Sequence, residues 1–391
     1  MRSVRRSLRT LVLGGLLPLF ASCAHHGSMH GHGAMHGHGN YYAIEKQGYF
    51  FSGGEYRPAK DGNVMVGQMF VQYQIPRHRT SPYPVIMIHG GGQSGTNFLG
   101  TPDDRAGWAD YFLKRGYAVY VIDAPARARS AGSREVLGAP NRRAAAYISD
   151  RFTAPERKPM YPQAAKHTQW PGAGVPGDPV FDQFYASQVE QLDDPGVGER
   201  LIREAGAALL DRIGPAILIG HSQGGPLVFT IADARPKLAK AVLALEPNGP
   251  PFQEAVYTGP PGWFRDGPLS RPWGITRNPL TYAPADAKPP QSVLEPKADG
   301  PDLVRCRLQA EPARQLPDLA TLPILVLVSE ASYHAPYDHC TSKYLKQAGV
   351  THTFTRLEEH GIRGNGHMMM LEKNSDEIAA FLERWIRANV K

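Results

Sequence analysis

Cysteine is scarce in this sequence, with three in 391 residues. A small disulfide-framed fold and a cysteine-rich zinc module both need more, closely spaced thiols, so both are excluded. There is no glycine-rich phosphate loop and no internal repeat, which removes the P-loop nucleotide enzymes and the solenoids. The apolar run at 11–20 is too short for a membrane-spanning helix. Surplus positive charge is also largely missing. The formal charge is +7, but Arg2, Arg5, Arg6 and Arg9 lie in residues 1–22, which contain no acid, and the rest carries +3. That gives no case for a nucleic-acid partner. What remains, 42% hydrophobic and 20% charged, is the composition of an ordinary soluble globular protein of one large domain or two moderate ones.

The start of the chain reads as an address. Residues 1–22 have a basic beginning, the apolar run 11–20, and the small residues Ala21 and Ser22 before Cys23. This is a secretory signal peptide, and Cys23 resembles a bacterial lipoprotein processing site, which would add a lipid anchor to a membrane. A plain signal peptide cut nearby is the alternative. The expected location is therefore exported: periplasmic, outer-membrane-anchored or extracellular. Residues 23–40 are rich in His, Gly and Met, including His25, His26, His30, His32, His36 and His38. Such a stretch cannot bury a core and reads as a disordered tether, with capture of copper, nickel or zinc as the competing reading. Cys306 and Cys340 are then the pair an exported protein would bridge; two free buried thiols are the other possibility.

From residue 41 to 391 the pattern is that of one α/β domain. Two antiparallel strands are predicted at 43–52 and 65–75, then buried strands at 84–88, 117–122, 216–220, 241–245, 323–328 and 351–357. Helices are predicted at 106–115, 197–213, from the residues after 222 to about 233, at 342–347 and at 375–388. Strand, helix, strand in this rhythm means a doubly wound, mostly parallel sheet with right-handed crossovers. The rhythm breaks twice, at about 130–196 and 248–319, where Pro, Gly and aromatics are dense; these read as insertions capping the sheet and forming an apolar pocket, with a helix over 142–151 in the first.

The chemistry gathers around Gly220-His221-Ser222-Gln223-Gly224, a G-x-S-x-G that closes a buried strand and opens a helix. In that layout the chain turns sharply, lifts the serine above the sheet, and leaves the next amide, Gln223, at a helix N-terminus where an oxyanion can be held. A serine needs a base within reach, itself oriented by a carboxylate. His367, in a loop just before the last helix, is the preferred base over His360 at the end of the last strand; His221 is assigned to packing or a supporting hydrogen bond. For the acid, Glu246 and Glu330 each close a strand and Asp338 follows Glu330 in its loop; the pattern does not choose among them. The second oxyanion amide is expected from His89-Gly90-Gly91-Gly92, with Gly91 first and Gly92 next.

These three stretches together resemble the α/β-hydrolase superfamily, over most of 41–391 with the insertions in its variable cap positions. More narrowly, Ala244-Leu245-Glu246-Pro247-Asn248-Gly249-Pro250-Pro251 and Gly361-Ile362-Arg363-Gly364-Asn365-Gly366-His367-Met368-Met369 resemble a small group of secreted bacterial esterases whose acid is a glutamate after the sixth strand. The resemblance implies an α/β-hydrolase fold and a serine esterase with Ser222, His367 and Glu246 as its triad. It implies Gln223 and Gly91 at the oxyanion, a small-molecule or lipid-like ester as substrate, and no metal or organic cofactor. An envelope-anchored metal-binding or scaffold protein on a silent hydrolase fold is the competing function, motivated by the His/Met tract.

Overall fold

The structure, a computed structural model, describes residues 42–391. The segment 1–22 expected to be a signal peptide, Cys23 and the His/Gly/Met tract lie outside the described residues. Eight strands form the main sheet, numbered here in chain order: β1 Ile44–Ser52, β2 Met69–Pro76, β3 Val85–Ile88, β4 Val119–Asp123, β5 Ala216–His221, β6 Ala239–Leu245, β7 Ile324–Val328 and β8 Thr353–Arg356. Their order across the sheet is β1-β2-β4-β3-β5-β6-β7-β8. β2 runs antiparallel to both its neighbours, and every pairing from β4 to β8 is parallel.

Both faces of the parallel strands are buried, which explains their continuous apolar sequence. Along β5, Leu218 packs on one face and Ile217 and Ile219 on the other; along β7, Ile324 and Val326 oppose Leu325 and Leu327 in the same way. One face is covered by the helices Pro195–Ile213 and Gly224–Ala234 through Ile202, Ala205, Leu209, Val228 and Phe229. The other is covered by Trp108–Lys114 and Ser375–Asn389 through Trp108, Phe112, Ile378 and Leu382. At ~25 cal/mol per Å2 of apolar surface, each such buried Val, Leu, Ile or Phe contributes about 1.5–3 kcal/mol. The helix Pro195–Ile213 is started by Asp194, whose carboxylate accepts from the amides of Gly196 and Val197, with Pro195 in the first turn.

Several sequence expectations need correction. Between β1 and β2 lies a separate hairpin, Glu55–Ala59 with Gly62–Val66, so residues 65–66 belong to it and not to the second strand. Gly67, at φ +78, turns the chain between them. The helix expected over 142–151 is one α-turn, Ala145–Ile148, that widens into a π-helix, Ser149–Thr153, and ends before Pro155. The second insertion, read as irregular, holds two antiparallel hairpins, Phe252–Gly259 with Trp263–Arg271 and Ser292–Leu294 with Arg307–Gln309. The helix expected at 342–347 is Asp338–Gln347, which puts Asp338 in its first turn and not in a loop. Cys306 and Cys340 are joined, tying the second insertion to that helix. Among the described residues no helix is long and apolar enough to cross a membrane.

Candidate active site

Ser222 follows β5 directly and stands at φ 56, in the left-handed region that side chains with a Cβ avoid. The surroundings enforce it. Its amide donates to the Leu245 carbonyl (2.9 Å), and its carbonyl accepts from Gly225 (2.9 Å) and Asn248 (3.0 Å). The flanking glycines are required by contact: a Cβ on Gly220 would lie 2.2 Å from the Gly224 carbonyl oxygen, and one on Gly224 would lie 2.4 Å from that of Ile88. Only glycine lets strand and helix pass this closely, so the serine is pushed out of the turn.

At the end of β6 the chain turns at Glu246, also at positive φ (48), and its fully buried carboxylate meets His367. The His367 Nδ1 lies 2.5 Å from Glu246 Oε2. Glu246 also accepts from the Ser329 amide (Oε1, 2.8 Å) and the Ser332 hydroxyl (Oε2, 2.6 Å). Ser332 Oγ accepts from the His334 amide, which leaves its proton for Glu246. Burial pushes the Glu246 carboxyl up, but three donors and, among the described residues, no facing acceptor are the surroundings of a carboxylate. Burial lowers the His367 imidazole well below its ordinary value, and the Arg151 charge adds to this, so the ring is a neutral base at neutral pH. Its Nε2 has no partner among the described residues. His221 Nε2 donates to the His367 carbonyl (2.8 Å), which is the supporting role expected of it.

The other candidates lie elsewhere. Glu330 pairs with Arg363 (3.2 Å) and Lys166 (3.4 Å) and accepts from the Gly364 amide (3.0 Å). Asp338 is buried against His334 Nδ1 (3.3 Å), and burial drives its carboxyl up. His360 bonds Thr355 (2.7 Å) and packs on Phe381. In the His89-Gly90-Gly91-Gly92 turn, the Gly92 amide is taken by the Gln191 side chain (2.8 Å), whereas those of Gly91 and Gln223 have no partner among the described residues. Gly91 faces Gln223: a Cβ on it would lie 3.3 Å from Gln223 Oε1.

The alpha/beta hydrolase family profile matches residues 85–381. The chain belongs to the alpha/beta hydrolase family. A probable secreted lipase, phiG, of Fungal sp. (strain ATCC 74256), is 45% identical over 347 residues, covering 88% of this chain and 90% of that protein. A solved structure of a bacterial esterase shares 25% identity and a TM-score of 0.60, covering 90% of this chain and 98% of its own.

Sequence reasoning missed several residues of this hydrolase. Arg127, buried after β4, donates to the Gly90 carbonyl (2.8 Å) and to Gln223 Oε1, so one guanidinium ties the Gly90 turn to the residue after Ser222. His89 accepts from the Ala124 amide at Nε2 (3.0 Å) and donates from Nδ1 to the same Gly90 carbonyl (2.9 Å). Tyr333 lines the cavity beside Ser222 and packs its ring on His367 at 4.7 Å. The position of His89 in its motif was legible; nothing local marked Arg127, Ser329, Ser332 or Tyr333.

A cavity of about 420 Å3 opens over Ser222, Gln223 and Gly91. It was expected to be apolar, and that is corrected: Arg143, Arg151, Arg271 and Arg277 line it with Glu199, Glu254 and several tyrosines. The insertions supply it, and their aromatic residues come with arginines between them. As for a metal, the ligand atoms of His221, Glu246 and His367 lie within 4.8 Å of one another, with Glu246 and His367 Nδ1 already joined to each other, and the Cys306 and Cys340 sulfurs beside His339 are bonded to each other.

Proposed function

We propose that this carboxylic ester hydrolase works through an acyl-enzyme on Ser222. The Ser222 hydroxyl attacks the ester carbonyl while His367 Nε2 takes its proton. The carbonyl oxygen gains the negative charge and is met by the amides of Gly91 and Gln223. The tetrahedral adduct then collapses, the bond to the alcohol oxygen breaks, and that oxygen leaves with the proton held on His367. Water repeats the sequence on the acyl-enzyme with His367 as base, giving the carboxylic acid and free Ser222. Glu246 keeps the Nδ1 proton in place throughout and stabilises the imidazolium as it forms.

The observation that carries this reading is the 2.5 Å contact of Glu246 with His367 Nδ1, which leaves the buried Nε2 unpartnered on a ring packed against His221, the residue before Ser222 (4.4 Å). The secreted lipase and the bacterial esterase named above support an ester as the substrate class. The same relative, with the basic and apolar leader at 1–22, supports export, and Cys23 a lipid anchor. Ser222→Ala tests the reading. Hydrolysis should fall to background with the melting temperature kept, and retained turnover would reject it.

A further inference from the structure

Arg151 stands out in the cavity. It belongs to the π-helix Ser149–Thr153 and lies over the rings of Tyr147 (4.8 Å), Tyr257 (5.5 Å) and Tyr333 (5.6 Å). Among the described residues it has no ion pair and no side-chain hydrogen bond. Its neighbours differ. Arg271 binds Glu254 (2.9 Å) and the Pro250 carbonyl (3.0 Å), and Arg277 binds the Ser270 carbonyl (2.5 Å) and Glu254 (3.5 Å). A guanidinium carries five donors in a planar fork. Tyrosine faces attract its charge but accept none of the hydrogen bonds at its edge. Arg151 is partly buried at the cavity wall, so its donor edge is left for water or for whatever enters the cavity.

The position gives the group a purpose. The next residue, Phe152, packs on His367 at 4.9 Å, and the Tyr333 ring that Arg151 covers packs on His367 at 4.7 Å and lines the cavity with Ser222. The Arg151 charge is felt at His367. Arg143 flanks Tyr147 at 5.0 Å and is exposed at the rim, so the cavity carries four arginines against two glutamates. Resting on the reading of Ser222 as the nucleophile, we propose that the hydrolase selects esters that carry a free carboxylate a few carbons from the scissile carbonyl, and that Arg151 receives that carboxylate in a forked ion pair. Neutral long-chain esters fit poorly, because their chains would have to desolvate arginines without replacing the lost hydrogen bonds.

The carboxylate can sit on the acyl or the alcohol part, and two matched pairs distinguish them. Monomethyl glutarate is compared with methyl pentanoate, and O-acetylglycolate with propyl acetate, all by pH-stat on the intact enzyme. The anionic member of one pair should have a kcat/KM about tenfold or more above its neutral partner. Arg151→Gln should reduce that ratio about 10- to 100-fold, the worth of a charge-assisted hydrogen bond. Arg151→Lys should keep part of it. On the unaltered enzyme, glutarate or glycolate should inhibit cleavage of the neutral ester competitively and less so at high salt, and pentanol should not. Equal or lower turnover of both anionic esters, or a preference unchanged in Arg151→Gln, overturns the inference while leaving ester hydrolysis intact. No turnover of any of the four, with Ser222 unreactive to a fluorophosphonate, overturns the reaction itself and this inference with it.

Discussion

Replacing Glu246 by Gln changes one atom and leaves the shape. In the native site the carboxylate accepts from three donors: the Ser329 amide, the Ser332 hydroxyl and His367 Nδ1. The amide of Gln has a single acceptor oxygen. If that oxygen stays on Ser329, the new NH2 group faces Ser332 and His367, both of which were donating. The imidazole relieves the clash by moving its proton to Nε2, the nitrogen that must accept the serine proton. The wrong tautomer of a catalytic histidine costs about a thousand- to ten-thousand-fold in kcat, and that is the loss expected here. Glu330→Gln is the control. Its partners Arg363 and Lys166 are 65% and 56% exposed, so each ion pair is screened by solvent and turnover should stay within about twofold. Steady-state hydrolysis of one short ester by both variants decides the matter. If Glu246→Gln stays within tenfold of the wild type, or Glu330→Gln loses as much, the assignment of the acid is wrong.

Other consequences are open to the same treatment. Arg127→Gln should lower kcat about 10- to 100-fold with little change in KM, because both oxyanion segments lose their common anchor; steady-state kinetics with a thermal melt check it. The acid limb of kcat/KM should fall below the ordinary histidine value of about 6.5, since His367 is held neutral by burial and by Arg151, and Arg151→Gln should move the limb upward in a pH–rate profile. His167 lies between Glu156 (2.8 Å) and Glu372 (2.9 Å); burial opposes its charge, but the two carboxylates outweigh burial and raise it to about 9. Its contribution, on the order of 3 kcal/mol, is therefore full below pH about 6.5 and lost as pH rises through about 9, so the wild-type melting temperature should drop over that window more than that of His167→Asn. Cys306→Ser with Cys340→Ser opens a bridge across 34 residues and should cost up to about 4 kcal/mol in a denaturant titration.

The parallel sheet was legible because two buried faces leave an unbroken apolar run with a glycine or a small polar residue at its end, as in β5 and β7. The elbow was legible because Gly220 and Gly224 are demanded by backbone contact, a requirement that a sequence states openly. Glu246 and Glu330 were not separable by pattern, since each closes a neighbouring strand. What separates them in space is the turn at Glu246, at positive φ and bonded to His367, whereas Glu330 is turned to the exposed Arg363 and Lys166. The insertions were the least readable part. Their hairpins, the π-helix and the place of Arg151 depend on contacts across the chain, such as Arg151 with Tyr257 and Tyr333, and no local period encodes them. Counting the aromatics there suggested an apolar pocket; the arginines among them were present in the sequence, but their inward position was not.

The central claim is that Ser222 is the nucleophile, and covalent trapping tests it most directly. Treat the purified protein with a fluorophosphonate, measure the intact mass, and map the adduct by peptide sequencing. A single adduct on Ser222, formed at a rate that falls sharply in His367→Ala and is absent in Ser222→Ala, is the predicted result. A folded, ester-cleaving protein that remains unlabelled, or carries its adduct on another residue, contradicts the account.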